Sequence, residues 1–311
     1  MNAKPQRFNI QHGLPYISPP HKPSRTSMQY LSRRAFVKRS ACAAGAGLIL
    51  PSWLRNRSDL AIGFQTWVVR EPLNKDFPGT LAKMAGYGYE TLEMCSPAGY
   101  AKYGFGALHE MPVADLRSGI TDAGMTCLSC HFTPQELETD LAASIEFAHA
   151  FGLEQMVVSS PGIRADADMK AWEKAVDKIN EWGATVTESG LTFAYHNHNF
   201  EFEKVNGRLI YDILLQGLDP SVVKMQFQVW AIIDGYKAAD YFRAHEGRYI
   251  SAHLSDWSGK DEEQVPIGSG TVDWKDFFEA GKIGGLQNVY VEMGEQTLAP
   301  SAAYLQGLRA G

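Results

Sequence analysis

From Leu60 onward the chain alternates short apolar or β-branched runs with longer amphipathic ones, and it does so eight times. No other feature narrows the fold as far. The expected strands are 60–67, 89–96, 126–132, 155–161, 191–199, 223–230, 249–256 and 288–294. Helical periodicity fills the intervals, most clearly over 134–151 and 168–189. Pro134 suits a first helical turn, and Gly152 and Gly190 suit helix ends. Eight strand–helix units within about 250 residues predict a single-domain (β/α)8 barrel over residues 59–311. A doubly wound sheet is the rival, but it ordinarily carries a glycine-rich phosphate turn after its first strand. Here that strand runs into Trp67-Val68-Val69-Arg70-Glu71-Pro72 instead.

Strands of a parallel barrel are covered on both faces and should read almost continuously apolar. Several of these alternate. Ile250, Ala252 and Leu254 oppose Ser251, His253 and Ser255, and Val289, Val291 and Met293 oppose Tyr290 and Glu292. Phe193 and Tyr195 oppose Ala194, His196 and His198, while Met225, Phe227 and Val229 oppose Lys224, Gln226 and Gln228. The same parity sets Gln65, Glu93 and His131 against Phe64, Leu92 and Phe132. A period of two therefore sends the apolar set to the helices and the polar set into the barrel. Barrel enzymes keep their chemistry there, near the strand C-terminal ends.

A lone inward Gln or Ser is ordinarily a satisfied core group. Four histidines (His131, His196, His198, His253) and two glutamates (Glu93, Glu292) converging from five strands are another matter. Buried charges are costly unless they are paired or bound to metal. Imidazole with carboxylate suits a divalent ion such as Mn, Co or Zn. Trp230 and Trp257 follow strand ends, where they serve either as walls for a sugar ring or as packing. Glu201 and Glu203 follow the fifth strand as loop charges; one of them is a further candidate for activity.

Charge is unevenly spread. No acidic residue precedes Asp59, whereas ten basic ones do. All 35 acidic residues and the remaining nineteen basic ones follow, which leaves the body at −16. A body that acidic is poorly suited to phosphate-backbone binding, so nucleic acid is not an expected partner. In the leader, Ser32-Arg33-Arg34-Ala35-Phe36-Val37-Lys38 precedes a small, moderately apolar run from Ala41 to Leu50 and then Pro51. That layout resembles a twin-arginine export signal and predicts a periplasmic or otherwise extracytoplasmic protein. Met28 just upstream is a candidate start. The apolar run is far short of the ~20 residues of a spanning helix, so no integral membrane span is expected. Cys42 lies in the leader; Cys95, Cys127 and Cys130 read as reduced, buried thiols.

With these residues located, the chain resembles the sugar phosphate isomerase/epimerase family, the xylose isomerase-like TIM barrels. The resemblance runs from Ile62-Gly63-Phe64-Gln65-Thr66-Trp67 to Val291-Glu292. Its most specific pieces are Tyr195-His196-Asn197-His198-Asn199-Phe200-Glu201-Phe202, Ala252-His253-Leu254-Ser255-Asp256-Trp257, Val289-Tyr290-Val291-Glu292 and Pro266-Ile267-Gly268-Ser269-Gly270-Thr271-Val272-Asp273-Trp274. The resemblance implies one divalent metal held by a glutamate, an aspartate, a histidine and a glutamate on strands five to eight. By position, His253 and Glu292 match the last two, while His196 and Gln228 occupy the first two places.

It also implies proton transfer beside a sugar carbonyl, with His196 and His198 as candidate bases and Glu292 as base or ligand. His131 and His253 are expected to hold substrate hydroxyls or the ion. Gln65, Glu93, Gln228, Trp230, Asp256 and Trp257 are expected to bind substrate. Export favours a free or oxidised sugar over a sugar phosphate. The expected activity is an exported isomerase or epimerase acting on a small carbohydrate, and the protein is a candidate homo-oligomer. Alternatives are a 3-keto-glycoside lyase or dehydratase, a metal-dependent phosphodiesterase that the acidic body disfavours, and a periplasmic sugar-binding barrel without catalysis.

Overall fold

Each of the eight expected strands is present in the computed structural model, which describes residues 60–261 and 263–310. They are β1 (Ile62–Gln65), β2 (Thr91–Cys95), β3 (Thr126–Phe132), β4 (Gln155–Val158), β5 (Thr192–His196), β6 (Lys224–Gln228), β7 (Tyr249–Leu254) and β8 (Asn288–Val291). All pair in parallel and in sequence order, and β8 closes on β1. The principal helices are α1 (Phe77–Tyr87), α2 (Val113–Asp122), α3 (Pro134–Phe151), α4 (Met169–Glu188), α5 (Ile210–Gly217), α6 (Ala238–Ala244), α7 (Trp274–Gly284) and α8 (Leu298–Ala310). The architecture is a single-domain (β/α)8 barrel. No helix of the described residues is long and apolar enough to cross a membrane. The leader lies outside the described residues.

Most strands end sooner than the apolar runs do, and at β1 and β6 the reason is local. Gln65 and Gln228 each turn their side-chain oxygen back onto a backbone N–H two residues on, at Trp67 and Trp230. Each thereby starts a 3-10 turn where the strand clears the barrel. Helix α4 begins one residue inside its expected span because Asp168 is its N-cap, accepting the Ala171 N–H at 2.8 Å.

The alternation of polarity is realised as two faces. Phe64, Leu92, Phe132, Phe193, Phe227, Leu254 and Val291 are buried in the core between sheet and helices. Inside the barrel the N-terminal end carries an amide layer, with Asn288 Nδ2 donating to Gln155 Oε1 at 3.1 Å. Above it Val157, Ala194 and Ile250 form a separate aliphatic floor. Ile250 was expected on the helix side. The register between β6 and β7 steps from Met225↔Tyr249 to Gln226↔Ser251, so Ile250 is an extra residue. A bulge of this kind places neighbouring side chains on the same side, here Ile250 beside Ser251. Above that floor begins the polar layer. Cys95, Cys127 and Cys130 are free thiols; Cys95 and Cys130 are buried as expected, whereas Cys127 is only partly buried.

Candidate active site

Glu93 on β2 is the base of the polar layer and is wholly buried. Its Oε1 accepts from Ser129 Oγ at 2.5 Å and Gln226 Nε2 at 2.8 Å. Its Oε2 accepts from Gln65 Nε2 at 2.7 Å and His253 Nε2 at 2.5 Å, and lies 3.2 Å from His131 Nε2. Burial opposes ionisation here, but His131 and His253 outweigh it and hold the carboxyl well below the usual range. Gln65 also uses its oxygen to cap the turn at Trp67. Glu93 and Gln65, both expected to bind substrate, thus have their polar atoms engaged within the protein. They orient the groups above them.

His253 stands between two carboxylates. Its Nε2 donates to Glu93 and its Nδ1 donates to Glu292 Oε2 at 2.9 Å. Burial alone would drive the second proton off; Glu292 and Glu93 reverse that and raise the pKa to about 10. His253 is therefore an imidazolium with both hydrogens directed at acids. Gln228 adds a third contact, its Nε2 donating to Glu292 Oε2 at 2.6 Å. His131 Nε2 donates to Gln226 Oε1 at 2.6 Å, which fixes the proton on that nitrogen.

His196 completes the cluster and differs from the others. Its ring centroid lies 4.4 Å from that of His253 and 4.8 Å from that of His131. Burial, reinforced by neighbouring His253, His131 and His198, drives its pKa well below the ordinary value. It is a neutral imidazole, and its buried Nδ1 has no hydrogen-bond partner. Ring nitrogens of His131, His196 and His253 lie within 4.8 Å of one another, so the three could hold a metal ion. Once His253 gives up one of its two hydrogens, three imidazoles beside the Glu292 carboxylate suit a borderline divalent ion, and the unpartnered His196 nitrogen is a ligand atom already available. Gln228, in the place where the resemblance implied an acid, serves here as a hydrogen-bond donor to Glu292.

Above this cluster is the mouth. His198 has 46% of its side chain exposed, and Glu292 has 19%. Trp230 and Trp257 meet edge to face, with centroids 5.2 Å apart, and both are partly exposed. Asp256, expected to bind substrate, is instead fully buried. It accepts from the backbone N–H groups of Trp257, Gly268, Gly270 and Val272 and from Trp274 Nε1. Five donors on two oxygens make it the organiser of the loop after β7, with no lone pair directed at the mouth. Glu201 also departs from expectation: it is completely buried, not an exposed loop charge. Ser129 escaped notice in the sequence, although its parity with His131 already placed it inward.

A closed parallel barrel with imidazoles and carboxylates gathered inside its C-terminal end defines the molecule's class: a (β/α)8 barrel with an active-site-like interior. The chain belongs to the xylose isomerase-like TIM barrel family, whose sequence pattern matches residues 81–309. It is similar to an inosose dehydratase of Geobacillus thermodenitrificans, 22% identical over 266 residues, spanning 72% of this chain and 88% of that one. Among solved structures it is similar to a sugar phosphate isomerase/epimerase from Parabacteroides distasonis, at TM-score 0.66 and 24% identity. That match covers 81% of this chain and 95% of the other. It is also similar to the IolI protein, solved with a zinc atom bound, at TM-score 0.60 and 15% identity over 80% and 96% of the two chains. At these identities the structural likeness shows the shared fold.

Proposed function

We propose that this barrel is a sugar-modifying enzyme that moves a proton at the carbon beside a carbonyl, producing an isomer or epimer of a free or oxidised sugar. The observation that carries the reading is the geometry of two imidazoles 4.4 Å apart between ring centroids: His253 holds a carboxylate at each nitrogen, and His196 has a buried Nδ1 with no partner. His196 offers its Nδ1 as proton acceptor. An enediolate forming alongside supplies the negative charge that its surroundings lack, so its proton affinity rises as the reaction proceeds. His253 and its two acids hold a fixed charge pattern that needs no rearrangement as charge develops. His198, on the rim, is the second imidazole within reach of the substrate, and Trp230 and Trp257 wall the mouth.

A divalent ion would be an alternative to the His253 proton: held by His131, His196 and a His253 that has given up one hydrogen, with Glu292, it would occupy the His196 lone pair and leave His198 as the free imidazole. Such an ion, when bound, polarises the carbonyl oxygen as a Lewis acid. Elimination is the second reading, favoured by the similarity to a protein named inosose dehydratase. It begins with the same proton removal and ends with loss of hydroxide or an alkoxide from the neighbouring carbon. Turnover of a 3-keto sugar in D2O tests both. Deuterium should appear at the carbon next to the carbonyl, and His196→Gln should slow its entry by about 10²–10⁴-fold. Turnover with no solvent deuterium in the product would overturn the reading. Product mass then separates isomerisation from loss of a leaving group.

A further inference from the structure

Glu201 is an acid that the proposed chemistry does not use. It follows β5 on a short 3-10 turn, yet its side chain is completely buried. Its Oε1 accepts the Tyr195 hydroxyl at 2.6 Å, and its Oε2 accepts the His198 backbone N–H at 2.7 Å. The other side of the same residue is tied as well. Asn197 Nδ2 donates to the His198 carbonyl at 3.2 Å, while Asn197 Oδ1 accepts the Gln228 N–H at 3.1 Å. His198 therefore has a backbone pinned at both of its peptide groups beneath a ring that is half open to solvent. That ring lies flat on Phe200 with an interplanar angle of 12° and stands edge-on to His196, 4.9 Å between centroids.

We infer that Glu201 is a positioning residue: its carboxylate locks the His198 backbone, so that the imidazole meets substrate at the mouth in one orientation. This rests on the proposed proton transfer for its purpose and on the hydrogen bonds alone for its geometry. A carboxylate is suited to the place because two donors approach two different oxygens. Glutamine can accept from His198 but must donate toward Tyr195, whose hydroxyl then has to turn round. Glutamine thus imitates the protonated acid. The titratable groups facing Glu201 are Tyr195 on β5, His198 on its own loop with Nδ1 4.0 Å away, and Tyr211 on α5. Burial pushes the Glu201 carboxyl up to about 7, against the lowering effect of its bonds from Tyr195 and His198. Its charge therefore changes within the neutral range.

The test follows the His198 ring resonances by NMR across the neutral range, in the full chain and without substrate. Wild type should show a step near pH 7 as Glu201 ionises. Glu201→Gln should abolish that step. Tyr195→Phe should move it to higher pH, because the hydroxyl that favours the carboxylate is gone. With a 3-keto sugar that turns over, Glu201→Gln should lower kcat about tenfold or more while KM stays within about twofold, the pattern of lost orientation rather than lost binding. His198 ring shifts with the same pH dependence near neutrality in wild type and Glu201→Gln would overturn the inference, as would an unmoved step in Tyr195→Phe should the glutamine variant not fold. If the resonances behave as stated but no sugar exchanges deuterium, the coupling of Glu201 to His198 stands and the proposed reaction falls.

Discussion

His253 carries two hydrogens because both of its nitrogens face acids, and the same arrangement governs stability. Its pKa rises from an ordinary 6.5 to about 10 on folding. A group raised in this way contributes fully below the unfolded value and loses its contribution as pH climbs through the folded one. Glu93 runs the other way: held well below the usual range, it stabilises above the unfolded carboxylate value and fails as acid protonates it. The pair should therefore give greatest support between these limits. His253→Gln leaves the buried Glu93 and the partly buried Glu292 without their shared cation, so unfolding near pH 7 should show a loss of about 3–5 kcal/mol. The deficit should shrink as pH approaches 10, where wild type loses the same proton. A deficit independent of pH would show that His253 is not the imidazolium described. At this scale the sequence disclosed which polar side chains face inward, since parity decides that wherever no bulge intervenes. It did not disclose partners: whether Glu93 meets substrate or five protein donors depends on how neighbouring strands are staggered.

Strand length and register show a similar division. The eight runs located every barrel strand, and α3 has the predicted limits because a proline and a glycine mark its ends. The bulge at Ile250 left no trace, since Tyr249 and Ile250 are both apolar and either reads as core. The loop from Pro266 to Trp274 resembled a family motif, but only the fold shows that its N–H groups converge on Asp256. Gly63 on β1 is a further case in which the neighbour explains the residue. A Cβ there would lie 2.6 Å from Tyr290 Cδ1, 2.8 Å from Thr91 Cγ2 and 2.9 Å from the Val289 carbonyl oxygen. The glycine makes room for the Tyr290 ring inside the barrel. Backbone cannot yield as a flexible side chain does, so Gly63→Ala should cost about 1–3 kcal/mol. The urea midpoint reports this, and an unchanged midpoint would mean that β1 and β8 are less tightly packed than described.

The whole molecule joins an acidic barrel to a basic leader, and two predictions belong to that scale. An ion bound by the native cluster stabilises the folded chain by mass action, so Mn, Co or Zn added to a chelated sample should raise Tm, and His253→Ala should remove the effect. No shift with any of the three would remove the metal from the proposal. Localisation is the second, and we propose export through the twin-arginine signal. The leader contains Arg33 and Arg34 followed by Phe36 and Lys38, ahead of a short apolar run, and no acid precedes Asp59. A route that carries folded proteins lets the barrel close, and a metal be selected, before the chain leaves the cytoplasm. Replacing Arg33 and Arg34 by Lys keeps the charge and alters only the guanidinium groups, which lysine does not imitate. Fractionation of a bacterial host should then find the double variant retained in the cytoplasm, folded and with its barrel intact by thermal melt. Normal periplasmic recovery of that variant would reject the twin-arginine route, and with it the reason for preferring an unphosphorylated sugar.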